Sequence, residues 1–379
     1  DESEAQQDEQ SAKIPVVDDE KTVSVRTPAK QQPRDESQQQ PAVNEQKPET
    51  NESKRKKKLR IILALEAAFI IVVFVGLAAS EASNTQIPSE TMETHVVTFN
   101  YATEKAIREA LNLADDEIIT IEILNNVKEL DLSEKGLWNI SDIDSFKELT
   151  KLNLSGNNIS DSDISALEKL TNLQELYLHN NNISDISALG NLTNLQTLYL
   201  ENNNISDIGA LGNLTNLQTL YLSYNEISDI SALRSLTNLE SLYLCDNEIS
   251  DISVLGNLTN LERLDLDVNN IRNIGALGNL TNLQTLYLNG NEISDIGALG
   301  NLTNLQSLCL CDNEISDISV LGSLTSLYQL DLYGNNISDI SALVNLSGLG
   351  WLDLSENNLT EQQVEELRQK LPQAEILTE

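Results

Sequence analysis

The fold of this chain is decided by a 22-residue unit that reads LTNLQTLYLENNNISDIGALGN from residue 192 to residue 213. Similar units follow one another in phase from about residue 124 to residue 360, and each contains a Leu-x-Leu pair. Alternate side chains of a strand point to opposite faces, so both leucines of a pair should face inward. Units that repeat in phase stack their strands in parallel and bury their leucines only against neighbouring units. The sequence therefore predicts an α/β solenoid over residues 125–358, with eleven parallel strands and short 3₁₀ or helical turns on the opposite, convex side.

Two polar columns within the units are predicted to be structural. One is an asparagine that follows ten of the eleven strands, as in Asn203, where a side-chain amide can satisfy backbone donors and acceptors in a buried turn. The other is the aspartate of the ISDI run, as in Asp207, which we expect to cap the short convex turn. The unit that contains ISDSDISAL, residues 159–167, is two residues longer and should bulge on the convex side without shifting the strands.

Both ends of the array have amphipathic segments that should keep the terminal leucines out of water. In the N-terminal cap, residues 97–124, the run ATEKAIREALNLADDEIIT predicts one helix over residues 102–120. In the C-terminal cap, residues 359–379, the run LTEQQVEELRQKLPQAEI predicts a helix over residues 359–376, with Thr360 as its N-cap.

The part of the chain before the repeats has three different compositions. Residues 1–53 hold 13 acidic and 6 basic side chains with few large apolar groups, which predicts a disordered tail. The basic cluster KRKKKLR, residues 54–60, precedes the apolar run of residues 61–79, which has the length of a bilayer core. A linker follows over residues 80–96.

The apolar run is predicted to be a single-pass transmembrane signal anchor. The basic flank predicts a cytoplasmic N-terminus, and the repeats are then expected outside the cell. A cleaved signal peptide is the alternative, because Ala78, Ala79 and Ser80 are small residues at which a peptidase could cut.

Composition argues against several classes of function. The net charge of −35 is opposite to what a nucleic-acid-binding surface needs. The cysteines Cys245, Cys309 and Cys311 are too few for a disulfide framework and are interpreted as free thiols. The sequence shows no catalytic triad on adjacent positions, no glycine-rich phosphate loop and no HExxH. We therefore expect a binding protein rather than an enzyme, without a cofactor or a metal.

Candidate binding residues come from the two columns that should line the exposed face of the sheet, which we call the concave face. One column is the residue between the paired leucines, and the other is the residue two positions later. The candidates are Tyr177, Tyr199, Tyr221, Tyr243, Tyr287, His179, Glu201, Asp265, Asp267, Asp331 and Tyr333.

Two groups among these candidates leave alternatives open. The four consecutive tyrosines from Tyr177 to Tyr243 are interpreted either as the centre of a partner-binding surface or as a stabilising cross-strand ladder. Asp265 and Asp267 could hold a cation, but calcium takes six to eight oxygen ligands, which favours a solvated acidic surface.

The repeat resembles the internalin-type leucine-rich repeat of Gram-positive bacterial surface proteins, and EKAIREAL and TEQQVEELRQKLP resemble the caps of such arrays. The resemblance covers residues 97–379. It implies a horseshoe-shaped, monomeric bacterial surface protein that binds a protein or a surface polymer through its concave sheet. No LPxTG-type sorting motif or immunoglobulin-like segment follows the repeats, so attachment is expected through residues 61–79. The alternative is the ectodomain of a transmembrane sensor.

Overall fold

The computed structural model describes residues 96–378, which lie within one compact unit, Thr91–Glu379. The predictions for residues 1–53, 54–60, 61–79 and nearly all of 80–96 lie outside the described residues. Among the helices of residues 96–378, none has both the length and the apolar character needed to cross a membrane.

The repeats form one parallel sheet whose strands follow chain order. Each inward leucine is in register with the inward leucine of the next unit, as for Leu198 and Leu220. The predicted eleven strands are confirmed, and a twelfth follows in the C-terminal cap. The strands are β1 Glu129–Asp131, β2 Lys151–Asn153, β3 Glu175–Tyr177, β4 Thr197–Tyr199, β5 Thr219–Tyr221, β6 Ser241–Tyr243, β7 Arg263–Asp265, β8 Thr285–Tyr287, β9 Ser307–Cys309, β10 Gln329–Asp331, β11 Trp351–Asp353 and β12 Glu375–Leu377.

Short 3₁₀ helices on the side opposite the strands return the chain to the sheet, as predicted. The aspartate before each turn caps it in most units: Asp229 Oδ1 accepts a hydrogen bond of 2.8 Å from the backbone N–H of Ser231. Asn273 does the same for Gly275, so an amide can replace the carboxylate here. The 3₁₀ helices are Ser141–Ser145, Ser165–Lys169, Ser187–Asn191, Gly209–Asn213, Ser231–Ser235, Ser253–Asn257, Gly275–Asn279, Gly297–Asn301, Ser319–Ser323 and Ser341–Asn345.

The core is a continuous column of fully buried leucines and isoleucines, such as Leu198 and Leu200. The asparagine column crosses the buried turn beside it. Asn203 Oδ1 accepts from the N–H of Ile183 at 3.1 Å, while its Nδ2 donates to the carbonyls of Leu178 and Leu200. One side chain thus satisfies backbone groups of two successive units, which confirms its structural role.

A second asparagine column also links successive units. It is the Asn of the LTNL segment, as in Asn194, whose Nδ2 donates to the carbonyl of Thr171 at 2.8 Å. Asn216 makes the same contact with Thr193. These amides therefore tie neighbouring convex turns together at the surface.

The two extra residues of the ISDSDISAL unit form α3, Asp161–Ile164, a single helical turn. Ser160 and Asp163 close its start as a capping box. Strands β2 and β3 remain in register around it, so the insertion bulges as predicted.

The N-terminal cap differs from the predicted single helix over residues 102–120. Helix α1, Tyr101–Leu111, ends because Asn112 adopts the left-handed conformation and its N–H bonds back to the helix. A turn and the short helix α2, Ile121–Leu124, follow. Helix α1 buries Ala106 and Ile107 and packs against β1, so its capping function is confirmed.

The C-terminal cap also differs from a helix over residues 359–376. Helix α4, Glu361–Lys370, begins at the predicted cap Thr360, whose hydroxyl accepts from the N–H of Gln363. The chain then turns and forms β12, in which Ile376 takes the register place beside Leu352. The unpaired edge of β11 favours a strand here, because it offers backbone partners that a longer helix would leave unmet.

Candidate functional site

The concave face contains a continuous stack of tyrosine rings on β3 to β6. The ring centroids of Tyr177 and Tyr199 are 4.6 Å apart, those of Tyr199 and Tyr221 are 4.3 Å apart, and those of Tyr221 and Tyr243 are 4.2 Å apart. The rings are within 14° of parallel. Their spacing is close to the distance between neighbouring strands, so the parallel register itself produces the stack.

Stacking uses the faces of the inner rings, and all four side chains are half-buried, so part of each remains at the surface. Burial raises the pKa of Tyr221 and of Tyr243 to about 12. At neutral pH the hydroxyls therefore stay protonated and can donate hydrogen bonds. The structure contains the cross-strand ladder, while the binding role of the tyrosines stays a prediction.

A cation covers the N-terminal end of the tyrosine stack. Lys151 Nζ lies 5.2 Å from the ring centroid of Tyr177, within cation–π distance, and 2.7 Å from Glu175 Oε2. The hydroxyl of Tyr177 donates to the same carboxylate oxygen at 2.9 Å. The hydrogen bond from Lys151 is the main cause that lowers the pKa of Glu175. Sequence analysis missed Lys151 and Glu175 because they occupy the column before the first leucine of each pair.

His179 and Glu201 lie beside the stack in the second column. The imidazole centroid of His179 is 6.0 Å from that of Tyr199. His179 Nδ1 and Glu201 Oε2 are buried without a hydrogen-bond partner among the described residues. Burial lowers the pKa of His179 and raises that of Glu201 to about 7. His179 thus lies against the stack, and each of the two predicted residues holds one buried polar atom without a hydrogen-bond partner in the described part of the chain.

The aspartates form a second group, next to the C-terminal end of the stack. Asp265 is in register with Tyr243 on one side and Tyr287 on the other. Asp265 Oδ1 accepts from the N–H of Asp267 at 3.0 Å, and Asp267 accepts two hydrogen bonds from Asn289. Burial raises the pKa of Asp265, and burial with the charge of Asp265 raises that of Asp267 to about 7.

The remaining predicted residues lie farther along the concave face. Asp331 on β10 is buried, and its Oδ1 accepts from the N–H of Tyr333 at 3.1 Å. Burial raises the pKa of Asp331. Tyr333 is exposed and belongs to no ring stack among the described residues. The structure thus does not join these two residues to the tyrosine stack.

The cysteines are free thiols within the described residues, as interpreted from the sequence. Cys309 is buried, and burial raises the pKa of Cys245 and of Cys311 to about 12. They are therefore protonated and poorly nucleophilic. Residues 96–378 contain no group of three or more His, Cys, Asp or Glu side chains arranged to hold a metal ion.

Two residues at the rim of the concave face were missed by sequence analysis. Tyr224 and Val268 follow β5 and β7 in the left-handed backbone region, at φ 57° and φ 50°, with 56% and 52% of their surfaces exposed. Equivalent positions hold Asn180 and Asn202, or glycine as at Gly290, which tolerate this conformation. An exposed Tyr and Val at such positions are therefore locally unfavourable.

Comparison with known proteins places this architecture in a family. Residues 126–275 match the family described as "Leucine-rich repeat region", and residues 259–301 and 303–345 match "Leucine Rich repeats (2 copies)". A comparison with curated proteins gave no match.

Several solved structures are similar to this chain. An internalin, inlF, of Listeria monocytogenes is 35% identical, with a TM-score of 0.67, and the match covers 76% of this chain and 92% of that one. The ectodomain of the Arabidopsis thaliana receptor kinase GASSHO1/SCHENGEN3, in complex with CASPARIAN STRIP INTEGRITY FACTOR 2, is 31% identical, with a TM-score of 0.56. That match covers 64% of this chain and 32% of that one.

The internalin match is long enough, and its identity high enough, to establish kinship beyond a shared fold. This chain therefore belongs to the internalin family of leucine-rich-repeat proteins.

Proposed function

We propose that residues 97–378 are an extracellular module that binds a partner protein through the concave face. The observation that supports this most strongly is the tyrosine stack, whose half-buried side chains keep part of their surface accessible on the sheet. Tyrosine offers contact area and a hydrogen-bond donor at a small loss of side-chain entropy.

The elements that pack on the array are at its ends, where they leave the middle of the sheet accessible. Helix α1 packs against β1, and α4 packs against the last 3₁₀ helix. The similar plant ectodomain is in complex with a named factor, which supports a protein rather than a polymer as the partner. Binding rather than catalysis is consistent with both relatives.

We propose that residues 61–79 hold the chain in the membrane, with the N-terminus in the cytoplasm and the repeats outside, on the strength of the basic cluster at residues 54–60. Protease added to intact cells should remove the repeats. Protection of the repeats would contradict the orientation.

A second candidate is the ectodomain of a transmembrane sensor, favoured by the likeness to a receptor-kinase ectodomain. The reading frame upstream of residue 1 distinguishes the two candidates. A signalling domain encoded there would favour the sensor, and a start codon immediately upstream would favour a simple anchored binder.

The binding role can be tested on a chain of residues 91–379, because this unit has its own core and is capped at both ends. The probe is a displayed library of random linear peptides, and the enriched peptides are measured against the double variant Tyr199→Ser/Tyr221→Ser. We expect a loss of affinity of at least roughly tenfold.

The matched control is Tyr101→Ser, which removes a fully separate, 85% exposed tyrosine from helix α1. Two outcomes would show that the stack is not the binding centre. Either the peptides lose as much affinity for the Tyr101→Ser control as for the double variant, or they bind both variants with unchanged affinity. Far-ultraviolet circular dichroism checks that both variants are folded.

A further inference from the structure

The two ends of the tyrosine stack are built differently, although the inner rings are nearly identical. At each end one ring face has no stacking partner. A free ring face attracts a cation, because the π-system is electron-rich above its plane.

At the N-terminal end the chain supplies that cation itself. Lys151 Nζ lies over Tyr177 and pairs with Glu175, so ring face, ammonium and carboxylate form one arrangement. This arrangement of a ring face, a cation and a carboxylate is therefore how the N-terminal end of the tyrosine stack is covered.

At the C-terminal end the carboxylate is present without its cation. Asp265 is in register with Tyr243, but among the described residues no Lys or Arg lies over the ring of Tyr243. Asp265 and Asp267 form no ion pair within residues 96–378. Arg263 is the basic residue on the same strand: its charge opposes the rise in the pKa of Tyr243, but its side chain is exposed and lies over no tyrosine ring among the described residues.

The gap beside Tyr243 also has a defined width. Tyr287 follows two strands later in the same column, with Asp265 between them. With one strand spacing of about 4.8 Å per step, the two tyrosine positions are about 9–10 Å apart. This distance matches a single planar group lying between two rings, at about the separation seen within the stack.

A positively charged group is favoured in this gap over a neutral one. Asp265, at the end of β7, and Asp267, just after it, are half-buried, and the charge of Asp265 raises the pKa of Asp267. A planar guanidinium can stack on a ring and pair with a carboxylate at the same time, whereas an ammonium is a compact point charge.

We propose, resting on the protein-binding function above, that the gap between Tyr243 and Tyr287 binds an arginine side chain of the partner protein. Its guanidinium lies against the ring of Tyr243 and pairs with the carboxylate of Asp265. The partner thereby completes at this end the arrangement that Lys151 completes at the other.

The test is a double-mutant cycle on the same residue 91–379 chain and peptide library. Peptides selected on the unmodified chain should be enriched in arginine. For one such peptide, affinities are measured for its Arg form and for its Arg→Ala form, each against the unmodified chain and against Asp265→Asn. Asn keeps the size of the side chain and an oxygen that accepts from the N–H of Asp267.

Asp265→Asn should lower the affinity for the Arg form of the peptide about tenfold and leave the affinity for the Ala form nearly unchanged. The effects of the two substitutions are then coupled. Arg→Lys in the peptide should cost about fivefold, because the planar stacking is lost. Asp229→Asn is the charge-matched control on the convex side, where Asn273 already shows that an amide is accepted. It should leave both affinities unchanged.

Equal weakening of the Arg and Ala peptides by Asp265→Asn would overturn the proposal. The proposal would also be overturned if the peptides preferred arginine only on the Arg263→Ala variant. That result would mean that Arg263 fills the gap in the unmodified chain. The arginine site can fail while the binding function holds. Peptides whose affinity depends on Tyr199 and Tyr221 but shows no coupling to Asp265 would contradict the arginine site alone.

Discussion

The rings of Tyr221 and Tyr243 lie 4.2 Å apart and only 3° from parallel, on strands whose backbones are in register. The same relationship holds back to Tyr177. Each inner ring therefore packs between two others, so these tyrosines should stabilise the folded chain independently of any partner.

Tyr221→Ser should destabilise the folded chain by about 1–3 kcal/mol, because Tyr221 loses two stacked neighbours and its buried ring area. Tyr221→Phe keeps both ring contacts and should change the free energy of unfolding by less than about 0.5 kcal/mol. Urea unfolding of the residue 91–379 chain measures both. An equal loss in the Phe variant would mean that the hydroxyl, rather than the stacking, stabilises this face.

Asn203→Ala should destabilise the chain by about 1–3 kcal/mol, since the buried N–H of Ile183 would lose its hydrogen-bond acceptor. The carbonyls of Leu178 and Leu200 keep a second bond, from Asn181 and Asn225. The matched control is Asn213→Ala, at an exposed position of a convex turn. Urea midpoints are the measurement, and a similar small change in both variants would contradict the structural role of the column.

Val268→Asn should stabilise the chain by about 1 kcal/mol. Val268 is β-branched and held at φ 50°, a region that costs an ordinary residue about 1–2 kcal/mol and that asparagine tolerates better. Val344→Asn is the control, because Val344 is an exposed valine that does not have a positive φ. Thermal unfolding of the two variants is the measurement. A higher melting temperature in both would mean that removing an exposed apolar side chain, and not relieving the backbone, stabilises the chain.

Acidification from about pH 8 to about pH 5.5 should raise the melting temperature. The pKa of Glu201 rises from 4.5 to about 7 on folding, and that of Asp267 from 3.8 to about 7. Between the unfolded and the folded pKa values, the folded chain binds more protons than the unfolded chain. The stability that this proton binding contributes is fully present below the unfolded pKa and is lost as pH rises through about 7. Asp265 and Asp331 face Asp267 and act in the same direction.

The double variant Glu201→Gln/Asp267→Asn should flatten this pH dependence, as measured by melting temperatures across the series. Asp229→Asn should not flatten it, because hydrogen bonds from Ser231 lower the pKa of Asp229, which places its own effect at more acidic pH. An unchanged slope in the double variant would show that folding does not raise the pKa values of these two carboxyl groups.

The sequence was sufficient for the parts of the structure that depend on the repeat period. The strands, their parallel order and the roles of Asn203 and Asp229 follow from residue types at fixed spacing, since each unit meets the same neighbours. The cap boundaries did not follow. Asn112 ends helix α1 by a local backbone choice, and β12 forms because the edge of β11 is next to it.

What the sequence alone determined is therefore which side chains share the concave face, because alternation along a strand and the 22-residue period fix that without any distance. Only the tertiary structure decided how those side chains meet. The strand spacing brings Tyr177 to Tyr243 into a stack, sets Lys151 over one end and leaves Asp265 without a cation at the other. Burial beside neighbouring strands, which no single repeat contains, is what raises the pKa values of Glu201 and Asp267.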